Sequence, residues 1–174
     1  MQAHAGAVFD IKKPILPKPS DYLITFDQPA KFPAGSITRS STPFNDTAIP
    51  MALIDLDQCG VLSFHFHPLG SEQLFITKGS VEVGMFFEDQ SFRLVSVKGG
   101  QAVLIPQGVV HFVRNTAKHP TQLLQIFDHP GAGAQFLGPA LLAMPEDVLA
   151  SAFKGDFPSA TTGNIFTLKS CKKW

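Results

Sequence analysis

The chain has 174 residues, of which 44% are hydrophobic and only 16% are charged, and its formal net charge is zero. This composition is typical of one globular domain and excludes an intrinsically disordered chain. A neutral chain without a basic stripe gives no reason to expect a nucleic-acid partner. No apolar window reaches the roughly 18 residues that span a membrane, so no membrane partner is expected either.

Residues 1–20 are rich in proline and lysine and predict an N-terminal arm along the surface. They contain no charged start followed by an apolar stretch, so no signal peptide is predicted in this chain. A cytoplasmic protein and a mature secreted protein both fit such a start.

Residues 21–130 predict the body of the fold, because ten short β-type runs follow one another with turn residues between them. In the run 80–87, Val81, Val83 and Met85 fall on one face of a strand, opposite Glu82. About ten short strands at this spacing predict an all-β sandwich or barrel. The runs cover residues 22–26, 35–39, 50–56, 61–67, 72–78, 80–87, 91–97, 101–105, 109–115 and 121–127.

Residues 131–174 differ in character and predict a C-terminal helical segment with a tail. The clearest helix is in the run PEDVLASAFKG, where Pro145 suits the first helical position and Gly155 suits a stop. Glu146 and Asp147 would lie near the positive end of the helix dipole.

Two histidines and a glutamate stand close together in the run LSFHFHPLGSEQLF. His65 and His67 share one face of a strand, and Glu72 follows five residues later. Such a set is either surface decoration or part of a metal site, because imidazole nitrogens and carboxylate oxygens are what borderline divalent metals accept. His111, in a later strand that follows Pro106 and Gly108, favours the metal site, since a closed barrel would bring it beside the other three.

These residues resemble the two sequence motifs of the cupin superfamily. The first motif is matched with one departure, because four residues instead of five separate its glycine, Gly60, from its first histidine, His65. The second motif is matched in full. The matching residues are Gly60, His65, His67, Glu72 and Gly79 in the first motif, and Gly100, Pro106, Gly108, His111 and Asn115 in the second. The flanking runs MALIDLDQCG and MPEDVLASAFKGD are similar to germins, particularly the spherulin-like germins of fungi and slime moulds.

The resemblance implies a single-domain jelly-roll β-barrel with C-terminal helices and one divalent ion per chain. His65, His67, Glu72 and His111 would be the four metal ligands, and two positions of an octahedron would stay open. Manganese is the usual ion of germins, with iron, zinc, nickel and cobalt as alternatives. Pro106, Gly108 and Asn115 are expected to shape the turn and strand that present His111.

Two departures from the oxalate-oxidising germins point to an apolar substrate pocket. Where those relatives have asparagine, this chain has Leu62 and Ala52, and neither side chain can donate a hydrogen bond. A dianion facing hydrocarbon would be left unpaired, at about 1–3 kcal/mol for each buried polar group. Leu62, Phe64 and Ala52 are the candidate pocket residues, and only one of Leu62 and Phe64 is expected to line the pocket.

The intact ligand set favours a metal-dependent enzyme, an oxidoreductase or oxygenase acting on a small molecule other than oxalate. An isomerase or cyclase of secondary metabolism is the alternative within that class, and a non-catalytic extracellular or storage protein is the alternative outside it. The catalytic group itself is not a side chain in this interpretation.

The germin resemblance further implies secretion and a homo-oligomer, either a dimer, a trimer or a hexamer. Cys59 and Cys171 would form one disulfide or two free thiols. Asn45 begins a glycosylation sequon, a triplet that arises often by chance.

Overall fold

Two antiparallel sheets enclose the apolar core of the protein. The computed structural model describes residues 23–40, 49–153 and 167–169. The predicted arm at residues 1–20, Asn45, Gly155 and Cys171 lie outside the described residues, so these predictions are not tested by the fold.

The described residues form twelve strands and two helices in chain order. One sheet has the order β1-β2-β3-β10-β5-β8, and the other has the order β11-β4-β9-β6-β7 with β12 also paired to β4. The elements are β1 (Ala30–Phe32), β2 (Gly35–Arg39), β3 (Met51–Leu56), β4 (Gly60–Phe66), β5 (Glu72–Lys78), β6 (Ser80–Phe86), β7 (Phe92–Lys98), β8 (Ala102–Ile105), β9 (Val110–Asn115), β10 (Thr121–Phe127), β11 (Gln135–Phe136), α1 (Leu137–Leu142), α2 (Glu146–Phe153) and β12 (Thr167–Lys169).

Alternation along the strands builds the core between the sheets. In β3 every second residue is buried. In β6, which belongs to the facing sheet, Val81 and Val83 are buried. The alternating apolar residues of both sheets point inward and pack against one another. Their burial stabilises the folded protein by about 25 cal/mol per Å² of apolar surface. The buried core includes Ile54, Leu56, Leu74, Ile76, Val81, Val83, Ile105, Val113 and Leu123.

Nine of the ten predicted runs coincide with strands β2 to β10, which confirms the all-β prediction. The run 22–26 was expected to be a strand, and this is wrong for its described part. Residues 23–26 form only one isolated bridge, between Phe26 and Ser40. The edge of the sheet is provided by β1 instead, which pairs with β2.

The predicted helical segment is present as α1 and α2. Pro145 was expected at the first helical position, but the helix begins one residue later at Glu146. The carbonyl of Pro145 accepts hydrogen bonds from the backbone N–H of Val148 and Leu149, so Pro145 acts as the helix cap. Among the described helices, none has the length and apolarity that crossing a membrane requires.

Two strands from the C-terminal segment extend the sheet beside β4. β11 pairs with His65 and Phe66, whereas β12 pairs with Gly60, Val61 and Leu62. Two strands that follow residue 130 therefore pair with the strand that contains His65, and part of the segment 130–136 lines the cavity described below.

Candidate metal centre

Three strands bring the four predicted ligands together. His65 near the end of β4 pairs directly with His111 in β9, and Glu72 is the first residue of β5 in the other sheet. His67 follows the last residue of β4. Their ligand atoms lie within 4.8 Å of one another, and each side chain is at most 4% exposed.

A β-bulge in β4 decides which side chains face this cluster. The register between β4 and β9 shifts between Leu62 and His65. Strict alternation would put Leu62 and Phe64 on one face, but the extra residue turns Leu62 inward beside His65 and leaves Phe64 outside. Leu62 is 7% exposed and Phe64 is 44% exposed.

The structure therefore does not bring Phe64 to the cavity, which corrects its inclusion among the pocket residues. Its ring packs edge-on against Phe86 and Phe112 on the outer face of the sheet, with centroid distances of 5.9 and 5.5 Å. Leu62 and Ala52 both line the cavity. One of the two strand residues thus faces the site and the other belongs to an external aromatic cluster.

Backbone carbonyls orient all three imidazole rings in the same way. Nδ1 of His65 lies 2.7 Å from the carbonyl oxygen of Ser63, and Nδ1 of His111 lies 2.9 Å from that of Val109. Nδ1 of His67 is hydrogen-bonded to the carbonyl oxygen of Gly133. Because a carbonyl only accepts, each Nδ1 donates, and each neutral ring keeps a lone pair on Nε2. Metal-binding histidines in proteins are commonly fixed in this manner.

Glu72 lies between two of these rings in the interior. Its Oε2 is 3.0 Å from Nε2 of His67 and 3.1 Å from Nε2 of His111. Burial alone would raise the pKa of the Glu72 carboxyl, but its contacts with His111 and His67 outweigh burial and hold the pKa well below its usual range. The cluster therefore has a carboxylate charge available at any ordinary pH.

The buried surroundings of the cluster shift the pKa values of His65 and His67 in opposite directions. Burial, assisted by the neighbouring His111, lowers the pKa of His65 to about 4. Burial also opposes charge on His67, but the hydrogen bond and charge of Glu72 outweigh it and raise the pKa of His67 above its usual value. His65 is thus ready to bind as a neutral ligand, whereas His67 would release a proton to a metal ion.

The donor set fits a divalent cation. Nε2 of His111 is buried and has no hydrogen-bond partner among the described residues, although a carboxylate oxygen lies near it. An unpartnered lone pair facing a carboxylate is unfavourable unless a cation lies between them. Metal–ligand distances of about 2.1 Å place opposite donors about 4.2 Å apart, so the cluster needs only a small contraction to hold an ion. The four residues could bind one metal ion.

A cavity of about 350 Å³ opens beside the cluster. His65 and His67 form part of its wall, and most of the rest is apolar. The segment 130–136 closes one side, and the ring of Phe136 stacks on His65 at a centroid distance of 4.9 Å. The wall consists of Ile37, Arg39, Pro50, Met51, Ala52, Ile54, Leu62, His65, His67, Gln125, Phe127, Pro130, Ala132, Gly133, Ala134 and Phe136.

Sequence reasoning missed the residues that support the ligands. Gln125 in β10 is 6% exposed, and its amide donates a hydrogen bond to Oε1 of Glu72. A signal was present, because Gln125 shares the inward parity of Thr121 and Leu123 in an alternating strand. The carbonyl of Gly133 left no signal, since a backbone acceptor is not encoded by a side chain.

Comparison with known proteins agrees with the geometry. A family model described as Cupin matches residues 34–157. The chain belongs to the cupin family. Among its curated relatives, a germin-like protein of Brassica napus is 32% identical over 150 residues, covering 82% of this chain and 72% of the relative. An auxin-binding protein of Prunus persica is 30% identical over 154 residues, covering 83% of this chain and 72% of that protein. The resemblance to cupins and to germin-like proteins is thereby confirmed.

Solved structures show the same cupin fold. An oxalate decarboxylase of Bacillus subtilis superposes with a TM-score of 0.73 at 20% identity, covering 83% of this chain and 40% of that chain. The oxalate decarboxylase of Lactobacillus farciminis gives a TM-score of 0.65 at 22% identity, covering 73% of this chain and 38% of that chain. This cupin thus spans about two fifths of those chains, and the likeness confirms the jelly-roll prediction.

Proposed function

We propose that this germin-like cupin is a metal-dependent enzyme that binds one divalent ion through His65, His67, Glu72 and His111. The reaction is of the oxidoreductase or oxygenase type, and the substrate is a small organic molecule with a chelating polar end and an apolar body. Manganese is the first choice of ion and iron the second, with zinc, nickel and cobalt as alternatives.

One observation carries the proposal: three imidazole Nε2 atoms and one carboxylate converge in the interior, beside a cavity large enough for a small molecule. Three nitrogens and one oxygen suit manganese or iron, and they leave room in an octahedral shell for ligands from outside the protein. Without a metal ion the Glu72 carboxylate has a hydrogen bond to His67, but Nε2 of His111 stays buried without a hydrogen-bond partner in the described part of the chain, so a purely structural role explains the arrangement less well.

The bound ion would supply Lewis acidity or a redox centre at this position. The side chains around it have simpler tasks. Glu72 supplies the negative charge, and Gln125 holds it in place. Leu62 and Phe127 present hydrocarbon to the cavity and exclude water from it.

The apolar wall argues against oxalate as the substrate. Leu62 and Ala52 line the cavity beside the histidines, and neither offers a donor to a second carboxylate. The structural neighbours named oxalate decarboxylase are only 20–22% identical, so they support the fold and not a shared substrate. A molecule with a single chelating end suits this wall better.

A non-catalytic binding protein is the second candidate. It is favoured by the Prunus persica relatives that are named auxin-binding proteins. An isomerase or cyclase is the alternative within the enzyme class, because a Lewis-acidic ion in an apolar cavity serves those reactions as well. Turnover separates the two classes, since a binding protein would return its ligand unchanged.

We also propose a secreted homo-oligomer, a dimer, trimer or hexamer, as the germin resemblance implies. Cys59 is disulfide-bonded, which supports an oxidising compartment. Light scattering on the purified protein tests the assembly, and a mass below that of two chains would contradict it.

Metal content tests the proposal most directly. Protein produced separately with manganese, iron and zinc should contain close to one ion per chain by elemental analysis, and His111→Ala should contain almost none. His119→Ala is the matched control, because that ring is exposed and lies outside the cluster. Absence of transition metal from all three preparations would contradict the proposal. An oxygen-consumption and product screen on the metal-loaded protein then distinguishes an enzyme from a binding protein.

A further inference from the structure

One charged side chain in the cavity wall is not explained by the metal centre. Apart from the two histidine ligands, Arg39 is the only residue with an ionisable side chain among the described residues that line the cavity. None of the described lining residues has a carboxylate side chain. The rest of the wall is aliphatic, aromatic or backbone, with Gln125 as its one neutral amide.

Strand register places Arg39 on the same face as the centre. Arg39 in β2 pairs with Ala52 in β3, and Ala52 pairs with Gln125 in β10. Directly paired residues point to the same side of a sheet, so these three form one row along the cavity wall. Gln125 contacts Glu72 at the inner end of the row, and Arg39 stands at its outer end.

The guanidinium of Arg39 is available for a ligand. Within residues 23–40, 49–153 and 167–169, its side chain makes no hydrogen bond or ion pair, whereas Arg114 pairs with Glu82. Arg93 differs again, since it lies in β7 of the other sheet and donates to the carbonyl of Phe92. Arg39 is exposed at the mouth of the cavity, and so its charge is not cancelled by a described neighbour.

Charge and apolar surface together select a class of ligand. A divalent ion with three neutral imidazoles and the Glu72 carboxylate keeps one net positive charge, and Arg39 adds a second across the cavity. A planar guanidinium binds carboxylates with two parallel hydrogen bonds. Hydrocarbon walls between the two positive ends favour an apolar ligand body.

We infer that Arg39 is the specificity-determining residue of this cavity, and that it binds the carboxylate of an amphipathic organic acid whose other end reaches the metal centre. This inference rests on the proposed metal site and narrows its substrate class. The Cα atoms of Arg39 and Gln125 are two strand spacings apart, about 10 Å. The ligand therefore needs a body of several bonds between its two polar ends, which oxalate lacks.

A carboxylic acid and its uncharged methyl ester, used as a pair of probes, test the inference. The compound 3-(3,4-dihydroxyphenyl)propanoate has a chelating catechol, an apolar body and a distal carboxylate, and its methyl ester keeps the catechol and the body but replaces the negative charge by a methyl group. Calorimetry on the zinc-loaded protein without oxygen avoids redox reactions of the catechol. The wild type should bind the acid at least about tenfold more tightly than the ester, and added salt should weaken only the acid.

Variants assign that preference to one side chain. Arg39→Gln should remove the preference and leave the affinity for the ester unchanged, and Arg39→Lys should keep part of it. Arg93→Gln is the matched control and should behave as the wild type. Metal content and melting temperature should be equal in all four proteins, which excludes misfolding as the cause.

The outcomes test the role of Arg39 independently of whether the four ligands bind a metal ion. Equal affinity for acid and ester in the wild type, no binding of the acid, or a preference that survives in Arg39→Gln would overturn it, even with one ion bound per chain. If the protein retains no metal, the same acid and ester comparison is made on the metal-free protein. An Arg39-dependent preference there would support the inference while the proposed metal function fails.

Discussion

Gln125 and Glu72 are joined by a buried side-chain hydrogen bond across 53 residues of sequence. The Gln125 amide donates to Oε1 of Glu72, while Oε2 of Glu72 faces His67 and His111. One carboxylate oxygen is therefore held by the protein, and the other is presented to the metal position. Such support fixes the direction of the ligand before any ion arrives.

Replacing Gln125 by leucine is expected to lower metal affinity by about 10–100-fold, the usual effect of losing a supporting partner of a ligand. The ion itself should still bind, because the four ligands remain. Competition with a fluorescent chelator measures the change. Gln122→Leu is the control, since Gln122 lies on the same strand but bonds to Thr77 and Asp55 away from the centre. Equal affinities for both variants would show that Gln125 does not position Glu72.

Asn115, at the end of β9 away from His111, is expected to be a main determinant of stability. Its amide donates to the carbonyl oxygens of Leu56, Asp57 and His119 at 2.8–3.0 Å. Its oxygen accepts from the backbone N–H of Ala117 and the hydroxyl of Thr121. One buried side chain thus joins the ends of three strands.

Asn115→Ala should lower the free energy of unfolding by about 2–4 kcal/mol, because several buried polar groups lose their partner at once. Urea unfolding followed by circular dichroism measures it. Thr116→Ala is the control, since that hydroxyl hydrogen-bonds to the hydroxyl of Ser80 at the surface and its loss should change stability by no more than about 0.5 kcal/mol. A similar small change in both variants would contradict the structural role of Asn115.

The sequence predicted the parts of this protein that depend on spacing. Alternation of apolar and polar residues predicted nine of the strands. The two motifs predicted the cluster that His65, His67, Glu72 and His111 form in the structure. Each of these features repeats at fixed intervals along the chain or matches a known motif. They are therefore readable without knowledge of contacts.

The features that the sequence did not predict depend on contacts between residues that are distant in the chain. The bulge in β4 turns Leu62 to the opposite face from the one that simple alternation predicts, and it is visible only in the pairing with β9. The partners of the ligands are equally remote, since Gly133 is 66 residues from His67. Neither a shifted register nor a backbone carbonyl leaves a pattern in the residues nearby.

The disulfide of Cys59 is expected to attach the C-terminal tail to the barrel. Cys59 is disulfide-bonded, and Cys171, the other cysteine of the sequence, lies outside the described residues. β12 pairs Lys169 with Gly60, the residue that follows Cys59 in the chain. We predict a Cys59–Cys171 bridge, worth at most about 4–5 kcal/mol in the chain-entropy model because it closes a long loop.

Peptide mapping without reduction checks this bridge. The expected result is one linked peptide pair that contains both cysteines and disappears on reduction, together with a lower melting temperature after reduction. Free labelling of both cysteines in unfolded, unreduced protein would contradict the prediction, and so would a bridge between two chains.

Oxalate is expected to be a poor substrate of the manganese-loaded protein. Leu62 and Ala52 line the cavity beside His65 and His67, and neither can donate a hydrogen bond to the outer oxygens of a bound dianion. Each unpaired oxygen would cost about 1–3 kcal/mol, which is enough to reject the small dianion. A hydrophobic carbonyl or enol compound should bind measurably instead, because its apolar body replaces water along this wall.

Product formation from oxalate is the measurement, followed in the manganese-loaded wild type and in the double variant Leu62→Asn with Ala52→Asn. The wild type should show negligible turnover. The double variant should bind oxalate more tightly by calorimetry, because two donors now face the cavity, and it should bind the hydrophobic carbonyl compound more weakly. Phe64→Asn is the control, because Phe64 lies on the outer face and its replacement should leave oxalate affinity unchanged. Wild-type turnover of oxalate at about 1 per second or faster would show that an apolar wall does not exclude this substrate.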